Sequence, residues 1–213
     1  IASCLVGSEM CIRDRFESTD RITQKMRERG GGISNIKLVN KSKELKFYFQ
    51  LNVDFNTIDS MGANFINSCL EIISENFKEL LNDSSKFKES EKKIEIIMSI
   101  LSNYTPECIV ESSAECKIDD LGDVDGITSK EFALKFKNAF DIANIDISRA
   151  VTHNKGIMNG IDAVLISTGN DFRAVEAGIH AFASSKGKYM SLSECTIIAV
   201  SYTHLRAHET RGN

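Results

Sequence analysis

Between Leu45 and Leu80 the apolar residues change their spacing from two to three and four, and this change constrains the fold most. The first part alternates with Lys46, Tyr48, Gln50 and Asn52 and consists of Leu45, Phe47, Phe49, Leu51 and Val53. Alternation is the period of a strand with one buried face. The second part follows Asp59-Ser60, a helix-capping signal, and consists of Phe65, Ile66, Cys69, Leu70, Ile73, Phe77 and Leu80. A strand followed by an amphipathic helix predicts a mixed α and β fold.

Further elements of both kinds flank this segment. A charged, Pro-free helix is predicted from Phe16 to Arg29 and ends at the three glycines 30–32. Residues 33–39 are predicted to pair with the alternating strand across the turn 40–43, and residues 94–101 and 108–118 are predicted as two more strands. These elements predict a small α/β domain that covers residues 16–118.

The residues after 118 predict a second domain, 119–199. An acidic, Gly-containing segment, 119–126, is the predicted connection between the domains. Ser129 is the predicted N-cap of a helix whose apolar residues are predicted to lie in the core: Phe132, Phe136, Ala139, Phe140 and Ile142. A last helix is predicted to open at 168–170 and to continue to about Ser185. The expected fold class is therefore α+β with two domains.

The two ends of the chain are related to each other in a way that protein selection does not produce. Codons can be chosen so that residues 1–14 and residues 200–213 are translated from complementary strands, position by position. One oligonucleotide joined to both ends of a DNA fragment gives this relation, and both ends resemble translated sequencing-adapter sequence. We therefore predict that residues 1–15 and 200–213 are not native and pack against nothing specific. The alternative is a short N-terminal targeting segment, but Glu9, Arg13 and Asp14 interrupt its apolar run.

The charge balance and the cysteines narrow the function classes. The formal net charge is -4, and the charges of the two ends cancel, so the rest of the chain is mildly acidic. Such a chain is not suited to nucleic acid or to an anionic membrane surface. No apolar run reaches the roughly 18 residues of a membrane span. Four cysteines outside the ends form no C-x-x-C pair, which indicates neither a metal site nor disulfides and favours a reducing cytoplasm: Cys69, Cys108, Cys116 and Cys195.

The densest group of chemically useful residues is Arg149-Ala-Val-Thr-His-Asn-Lys155-Gly-Ile-Met-Asn159-Gly160. On a helix, Lys155 and Asn159 share one face, and Gly156 and Gly160 leave a strip beside them without side chains. A ligand or another helix could approach closely there. From spacing alone, a Gly-rich helix that packs tightly and carries a solvated lysine explains the pattern at least as well.

Two helix starts supply further candidates. Asp171 falls in the first turn of the last helix, where the helix dipole favours a carboxylate. It could hold Lys155 charged and oriented, or it could only cap the helix. In Asp59-Ser-Met61-Gly62-Ala-Asn64, free backbone N–H groups and a glycine could admit a nucleotide, and ordinary capping explains the pattern equally well.

Together these segments resemble the class II HMG-CoA reductases. The run Arg149 to Asp162, followed by Ser167-Thr-Gly-Asn-Asp-Phe-Arg-Ala-Val-Glu-Ala-Gly178, resembles the catalytic segment of that family in order and separation. Residues 59–64 are similar to its D-A-M-G-A-N cofactor motif. The resemblance covers residues 16–199. It implies an oxidoreductase that interconverts HMG-CoA with mevalonate and CoA by two hydride transfers, and a small cofactor-binding domain inserted in a larger mixed helical and strand substrate domain.

The resemblance also implies a role for each matched residue. Lys155 would stabilise negative charge on the thioester and mevaldehyde oxygens, and Asp171 would keep Lys155 cationic. Arg149 and Asn159 would hold the HMG carboxylate and hydroxyl. The dinucleotide would be bound by Asp59, Met61, Gly62 and Asn64.

By the same resemblance, two catalytic residues of the family have no counterpart in this chain. The catalytic Glu lies upstream of Phe16 and the C-terminal His lies beyond Ala199, so the chain is expected to be an inactive fragment. His153 and His180 do not match that His and are predicted to be structural. In the family the active site forms across a homodimer interface, and we expect the same of the complete protein.

The expected cofactor is NADPH or NADH, with NADPH favoured. NAD-preferring members place an acidic residue about seven positions before the Gly run, where an acidic side chain can bind the ribose 2′-hydroxyl. Here Thr23 stands at that position, and Lys25 and Arg27 follow, which suits a 2′-phosphate. The alternative function is a non-catalytic nucleotide- or CoA-binding protein on the same scaffold.

Overall fold

The computed structural model of the 213-residue chain describes residues 17–58, 62–85, 87–90, 92–123, 125–199 and 202–210. It confirms a mixture of helices and strands, arranged in two compact units, residues 1–101 and 102–213. This division falls earlier in the chain than the domain boundary predicted at residue 118. The reason is that the strand at Ile109–Lys117 pairs with a strand at Tyr202–Thr210, which lies in the second unit.

The first unit contains two helices and a β-hairpin. Helix α1, Glu17–Glu28, is followed by the antiparallel strands β1, Gly32–Asn40, and β2, Phe49–Asn56, and then by helix α2, Ala63–Asp83. α1 is not solvated on all sides, because Thr23 and Met26 are buried. Part of the core forms where Leu81 and Phe87 pack against a ring of partly buried side chains: Leu38, Phe49, Phe77 and Ile94.

The glycine run after α1 permits a close approach of two backbones. Gly30 and Gly32 have φ values of 89° and 117°, in the left-handed region that favours glycine. A Cβ on Gly31 would lie 2.5 Å from the backbone oxygen of Asn56, at the end of β2. Only glycine therefore fits at position 31, where the chain passes from α1 to the hairpin, because a Cβ there would clash with the backbone of β2.

The structure corrects the predicted start of the second strand. β2 begins at Phe49, whereas Leu45 and Phe47 are 63% and 75% exposed and lie in a loop. The Lys41 carbonyl accepts hydrogen bonds from the N–H groups of both Glu44 and Leu45, so the backbone curls into a turn there. Phe47 then adopts φ 63°, which breaks the alternation that the sequence pattern suggested.

The predicted strand 94–101 is also wrong, since no strand ladder includes it among the residues that the structure describes. Side-chain contacts with α2 hold this segment instead. The backbone N–H of Leu101 donates to Asn67 Oδ1 at 2.9 Å, and the hydroxyls of Ser99 and Ser74 are 2.6 Å apart. Apolar residues alone did not distinguish a strand from a segment that packs along a helix.

The second unit combines a sheet with three helices. Strand β3, Ile109–Lys117, leads through a short 3-10 helix, Ile118–Leu121, to helices α3, Ser129–Ile145, α4, Ile147–Ser167, and α5, Phe172–Ala183. Strands β4, Ser193–Ala199, and β5, Tyr202–Thr210, complete a sheet of order β3-β5-β4. One core cluster lies between α4, α5 and the segment before β4, and consists of Met158, Val175, Ile179, Ala183 and Leu192.

The N-cap of helix α3 lies one residue earlier than predicted. Thr128, not Ser129, is the N-cap, and it forms a capping box with Glu131. A threonine with a glutamate three residues later satisfies two free N–H groups reciprocally. Of the aromatic residues predicted for the core, Phe140 is buried, whereas Phe136 is 38% exposed.

The prediction that the C-terminal tail packs against nothing specific is wrong for its backbone. β5 lies in the tail and pairs antiparallel with both β3 and β4. Antiparallel pairing uses main-chain N–H and C=O groups, so a segment can join a sheet without selected side chains. The N-terminal tail lies outside the described residues. None of the described helices is long and apolar enough to cross a membrane.

Candidate functional site

Helix α4 carries Arg149, Lys155 and Asn159 on solvent-exposed positions. Asp146 is the N-cap of the helix, and its side chain accepts the Ser148 N–H at 2.9 Å. Lys155 and Asn159 are four residues apart and therefore share one face. None of the three polar side chains forms a hydrogen bond or ion pair with any residue that the structure describes. α4 therefore presents a cation, an amide and a guanidinium that are all available to a ligand.

The glycines beside this face leave it open. A Cβ at Gly156 or at Gly160 would meet nothing within 4 Å. Tight packing of these glycines against another described element is thus not what the structure shows. The space beside Lys155 and Asn159 is large enough for the backbone or polar groups of a ligand to approach the helix closely.

Asp171 caps helix α5. Its Oδ1 accepts the backbone N–H groups of Arg173 at 3.1 Å and Ala174 at 3.3 Å, and lies 3.4 Å from Arg173 Nε. The hydrogen bond from the Ala174 N–H, helped by the charge of Arg173, holds the pKa of Asp171 below its ordinary value. Asp171 is therefore an anion at neutral pH.

The structure does not join Asp171 to Lys155 by an ion pair, since the only described cation paired with Asp171 is Arg173. It does place both residues on helices that share a core. Met158 of α4 packs in the same cluster as Val175 and Ile179 of α5. The two predicted catalytic residues thus belong to adjoining helices of one unit.

One buried polar side chain of α4, that of Asn154, was not predicted from the sequence. Asn154 is fully buried, and its amide donates to the Met190 carbonyl and accepts the Leu192 N–H, both at 2.9 Å. A signal existed, because Asn154 lies midway between Ala150 and Met158 on the buried stripe of α4. A polar residue within an apolar stripe indicates a satisfied, specific contact.

Both histidines, which were predicted to be structural, contact neighbouring side chains. His153 Nε2 lies 2.7 Å from Ser193 Oγ, and its ring packs edge-on against Phe140. Burial lowers the pKa of His153 below its ordinary value, which favours the neutral ring. His180 Nδ1 lies 2.9 Å from the Tyr189 hydroxyl.

Asp162, at the end of the matched catalytic run, carries an unusual oxygen. Its Oδ1 is buried and has no hydrogen-bond partner among the described residues. Nothing in the sequence pattern distinguishes this carboxylate from a solvated one.

The predicted cofactor residues are only partly visible. Asp59 and Met61 lie outside the described residues. Gly62 is the N-cap of α2 with φ 61°, Asn64 is exposed in the first turn, and no described side chain caps the helix. The N-cap of α2 is Gly62, whereas Asp59 and Ser60, which were predicted to cap the helix, lie outside the described residues. N–H groups at a helix start can bind an anion.

Of the three residues on helix α1 that were predicted to select the cofactor, one is buried and two are exposed. Thr23 is only 2% exposed, so its hydroxyl is not accessible to a ribose. Lys25 and Arg27 are exposed in the last turn. Any interaction with a cofactor phosphate on this helix therefore falls to the basic residues.

Comparison with known sequences matches this chain to one family. The sequence model described as hydroxymethylglutaryl-coenzyme A reductase matches residues 7–204. A probable 3-hydroxy-3-methylglutaryl-coenzyme A reductase of Borreliella burgdorferi is 37% identical over 171 residues, which are 79% of this chain and 36% of that protein. A 3-hydroxy-3-methylglutaryl-coenzyme A reductase of Archaeoglobus fulgidus is 36% identical over 129 residues, which are 61% of this chain and 26% of that protein.

Comparison with solved structures gives the same family. A 3-hydroxy-3-methylglutaryl-coenzyme A reductase from Streptococcus pneumoniae superposes with a TM-score of 0.75 at 31% identity, covering 97% of this chain and 45% of that one. A class II enzyme from the same organism, bound to NADPH in open conformations, superposes with a TM-score of 0.73 at 30% identity. The chain spans 36% or less of the curated relatives and about half of the solved ones.

Proposed function

The chain belongs to the hydroxymethylglutaryl-coenzyme A reductase family, and from this premise we propose that the complete protein interconverts HMG-CoA with mevalonate and CoA. The reaction proposed is the class II form, with two hydride transfers to or from a nicotinamide. The observation that carries the proposal is the exposed face of α4, where Lys155 and Asn159 stand beside open glycines.

In this proposal Lys155 stabilises the oxygen on which negative charge develops. An ammonium group is a compact donor, and it lowers the energy of an oxyanion most when the site excludes water. Asp171 remains ionised because backbone N–H groups hold its carboxylate. Its proposed role is to supply the negative charge that keeps Lys155 cationic.

Arg149 and Asn159 bind the acid end of the substrate in the same proposal. The guanidinium of Arg149 pairs with the HMG carboxylate, since its planar N–H groups match two carboxylate oxygens. Asn159 can both donate to and accept from the substrate hydroxyl. The exposure of both side chains, with no described partner, supports this assignment.

NADPH is the proposed cofactor, with NADH as the second choice. The start of α2 offers backbone N–H groups with Gly62 and Asn64, and Asp59 and Met61 precede it in the sequence. Lys25 and Arg27 on α1 suit a 2′-phosphate, and a class II relative is bound to NADPH. When bound, the cofactor supplies hydride, while the chain supplies orientation and charge.

The complete protein is proposed to be a cytoplasmic homodimer with its active site at the subunit interface. The free thiols of Cys69, Cys108, Cys116 and Cys195 suit a reducing compartment. The Glu that transfers a proton and the His that protonates the CoA thiolate are proposed to lie outside residues 16–199.

The test is to recover the full reading frame, purify its product and follow nicotinamide absorbance with HMG-CoA and each cofactor. We expect oxidation of NADPH that stops when HMG-CoA is omitted. If instead the protein binds nucleotide or CoA but shows no turnover in either direction, the non-catalytic binding function is correct. Recovery of a frame without a Glu and a His at the family positions would point the same way.

A further inference from the structure

We propose that Asn154 is a positioning residue that fixes helix α4 to the segment 190–192 and thereby sets the place of Lys155 relative to Asp171. The inference rests on the proposed function, because it assigns Asn154 a part in the reaction of that site. It concerns a side chain that touches neither substrate nor cofactor.

Both hydrogen bonds of the Asn154 side chain are to backbone atoms. Its Nδ2 donates to the Met190 carbonyl and its Oδ1 accepts the Leu192 N–H, both at 2.9 Å, and the residue is 0% exposed. One planar amide thus spans two peptide groups of the same segment. An apolar residue here would leave a buried C=O and a buried N–H without partners, which costs more than the loss of an ordinary hydrogen bond.

The segment that Asn154 holds is itself fixed to helix α5. The Met190 N–H donates to the carbonyl of Ala183, the last residue of α5, at 3.0 Å. The Leu192 side chain packs in the cluster that contains Val175 and Ile179 of the same helix. Asn154 therefore connects α4 to α5 through a short, doubly anchored segment.

The two proposed catalytic groups stand on the two helices that this connection joins. Lys155 directly follows Asn154 but is exposed, and Asp171 is the N-cap of α5. A rotation or shift of α4 against α5 would move the ammonium relative to the carboxylate. Displacements near 1 Å in an active site can cost about 10²-fold in rate.

His153 makes a neighbouring contact but does not replace Asn154. Its Nε2 bonds to the side chain of Ser193, one residue beyond the segment. A side-chain hydroxyl can rotate, whereas the two peptide groups bound by Asn154 cannot move without moving the segment. We therefore assign the positioning role to Asn154.

The experiment compares Asn154→Ala with Ile118→Ala in the full-length protein. Ile118 is 3% exposed in the same unit, in the 3-10 helix that contacts α3 and β3, and its truncation lowers stability. Turnover is measured per folded molecule, well below the melting temperature of each variant. We expect Asn154→Ala to lower kcat at least tenfold with the KM for NADPH within twofold of wild type, and Ile118→Ala to keep kcat within twofold.

A second measurement separates positioning from a merely structural role. In a Lys155→Arg background, where the cation is already displaced, adding Asn154→Ala should lower kcat by less than twofold more. Full multiplication of the two single effects would overturn the proposal, because independent effects add in free energy. If Asn154→Ala does not fold, Asn154→Asp replaces it in both measurements, since it keeps the shape and the acceptor for the Leu192 N–H.

Each remaining outcome also decides the matter. Wild-type protein with turnover, together with Asn154 variants whose kcat is unchanged, removes the role of Asn154 and leaves the proposed function standing. Wild-type protein without turnover removes the proposed function, and this role with it.

Discussion

Lys155 is an exposed cation on a helix face whose neighbouring positions are glycines. Its charge matters most where an oxyanion develops, so its loss should affect the transition state more than the ground state. In the full-length protein we expect Lys155→Ala to lower kcat by about 10²–10³, the range for removal of one oxyanion donor. Cofactor affinity should change much less.

Steady-state kinetics with a separate titration of NADPH binding test this prediction. Lys25→Ala is a suitable control, because it removes a cation that is proposed to bind the cofactor and not the substrate. It should weaken NADPH binding while leaving turnover at saturation nearly unchanged. An unchanged kcat in Lys155→Ala would remove Lys155 from the mechanism.

Asp171 combines two roles that substitution can separate. Asn is as good an N-cap as Asp, whereas Ala is not. We therefore expect Asp171→Asn to keep the melting temperature of the wild type and Asp171→Ala to lower it. Both should lose turnover in the full-length protein if the negative charge holds Lys155 cationic. Turnover that survives in Asp171→Asn would show that Asp171 only caps the helix.

The stability contribution of Asp171 should depend on pH. Its pKa is lower in the folded chain than in the unfolded one, chiefly through the Ala174 N–H. Its contribution is therefore complete above the ordinary pKa of about 3.9 and is lost as the pH falls through the folded-state value. The difference in melting temperature between wild type and Asp171→Ala should shrink below pH 4 and stay constant from pH 6 to pH 8. A difference that grows in acid would contradict the assignment.

At the scale of a single element, two substitutions at the start of helix α3 compare the stability contributions of the observed N-cap, Thr128, and of the predicted one, Ser129. Thr128→Ala removes the hydroxyl that accepts the Glu131 N–H and donates to the Glu131 carboxylate, and it should cost about 1 kcal/mol in unfolding free energy. Ser129→Ala removes only a long hydroxyl contact to Asp123 and should cost much less. Denaturant unfolding of both variants measures the two values. Equal values would mean that the box adds nothing to α3.

Substitution of a glycine in helix α4 by alanine should raise stability and weaken substrate binding. Gly160→Ala adds a methyl group in open space and raises helix propensity, so the unfolding free energy should rise by up to about 1 kcal/mol. In the full-length protein the same methyl should raise the KM for HMG-CoA, because it enters the strip beside Asn159. A KM unaffected by Gly160→Ala would mean that substrate does not approach this strip.

At the scale of the whole molecule, we expect the chain of residues 1–213 to have no HMG-CoA reductase activity of its own. The Glu and the His that transfer protons are proposed to lie outside residues 16–199, and each such group typically contributes about 10²–10⁴ in rate. Weak nucleotide binding can remain, because the first unit includes helices α1 and α2. The measurement is nicotinamide absorbance with HMG-CoA, or with mevalonate and CoA, on folded chain. Turnover comparable to that of an intact relative would show that a Glu and a His from outside residues 16–199 are not needed.

The sequence by itself determined the elements whose signals are local. Helix α2 follows from apolar residues at helical spacing, and α5 follows from Asp171, whose cap needs only the next three residues. The same is true of the face shared by Lys155 and Asn159, because helix geometry fixes which positions coincide. The family also followed from these local runs.

Only the tertiary structure decided which segments found partners far along the chain. The apolar run 94–101 has no strand ladder among the described residues, whereas β5, predicted to pack against nothing, lies between β3 and β4. The spacing of Ala150, Asn154 and Met158 could indicate that Asn154 is buried, but only the structure identifies the backbone of 190–192 as the partner of its amide. A ladder or a buried amide is stabilised only when distant groups meet, and their sequence spacing does not encode that meeting.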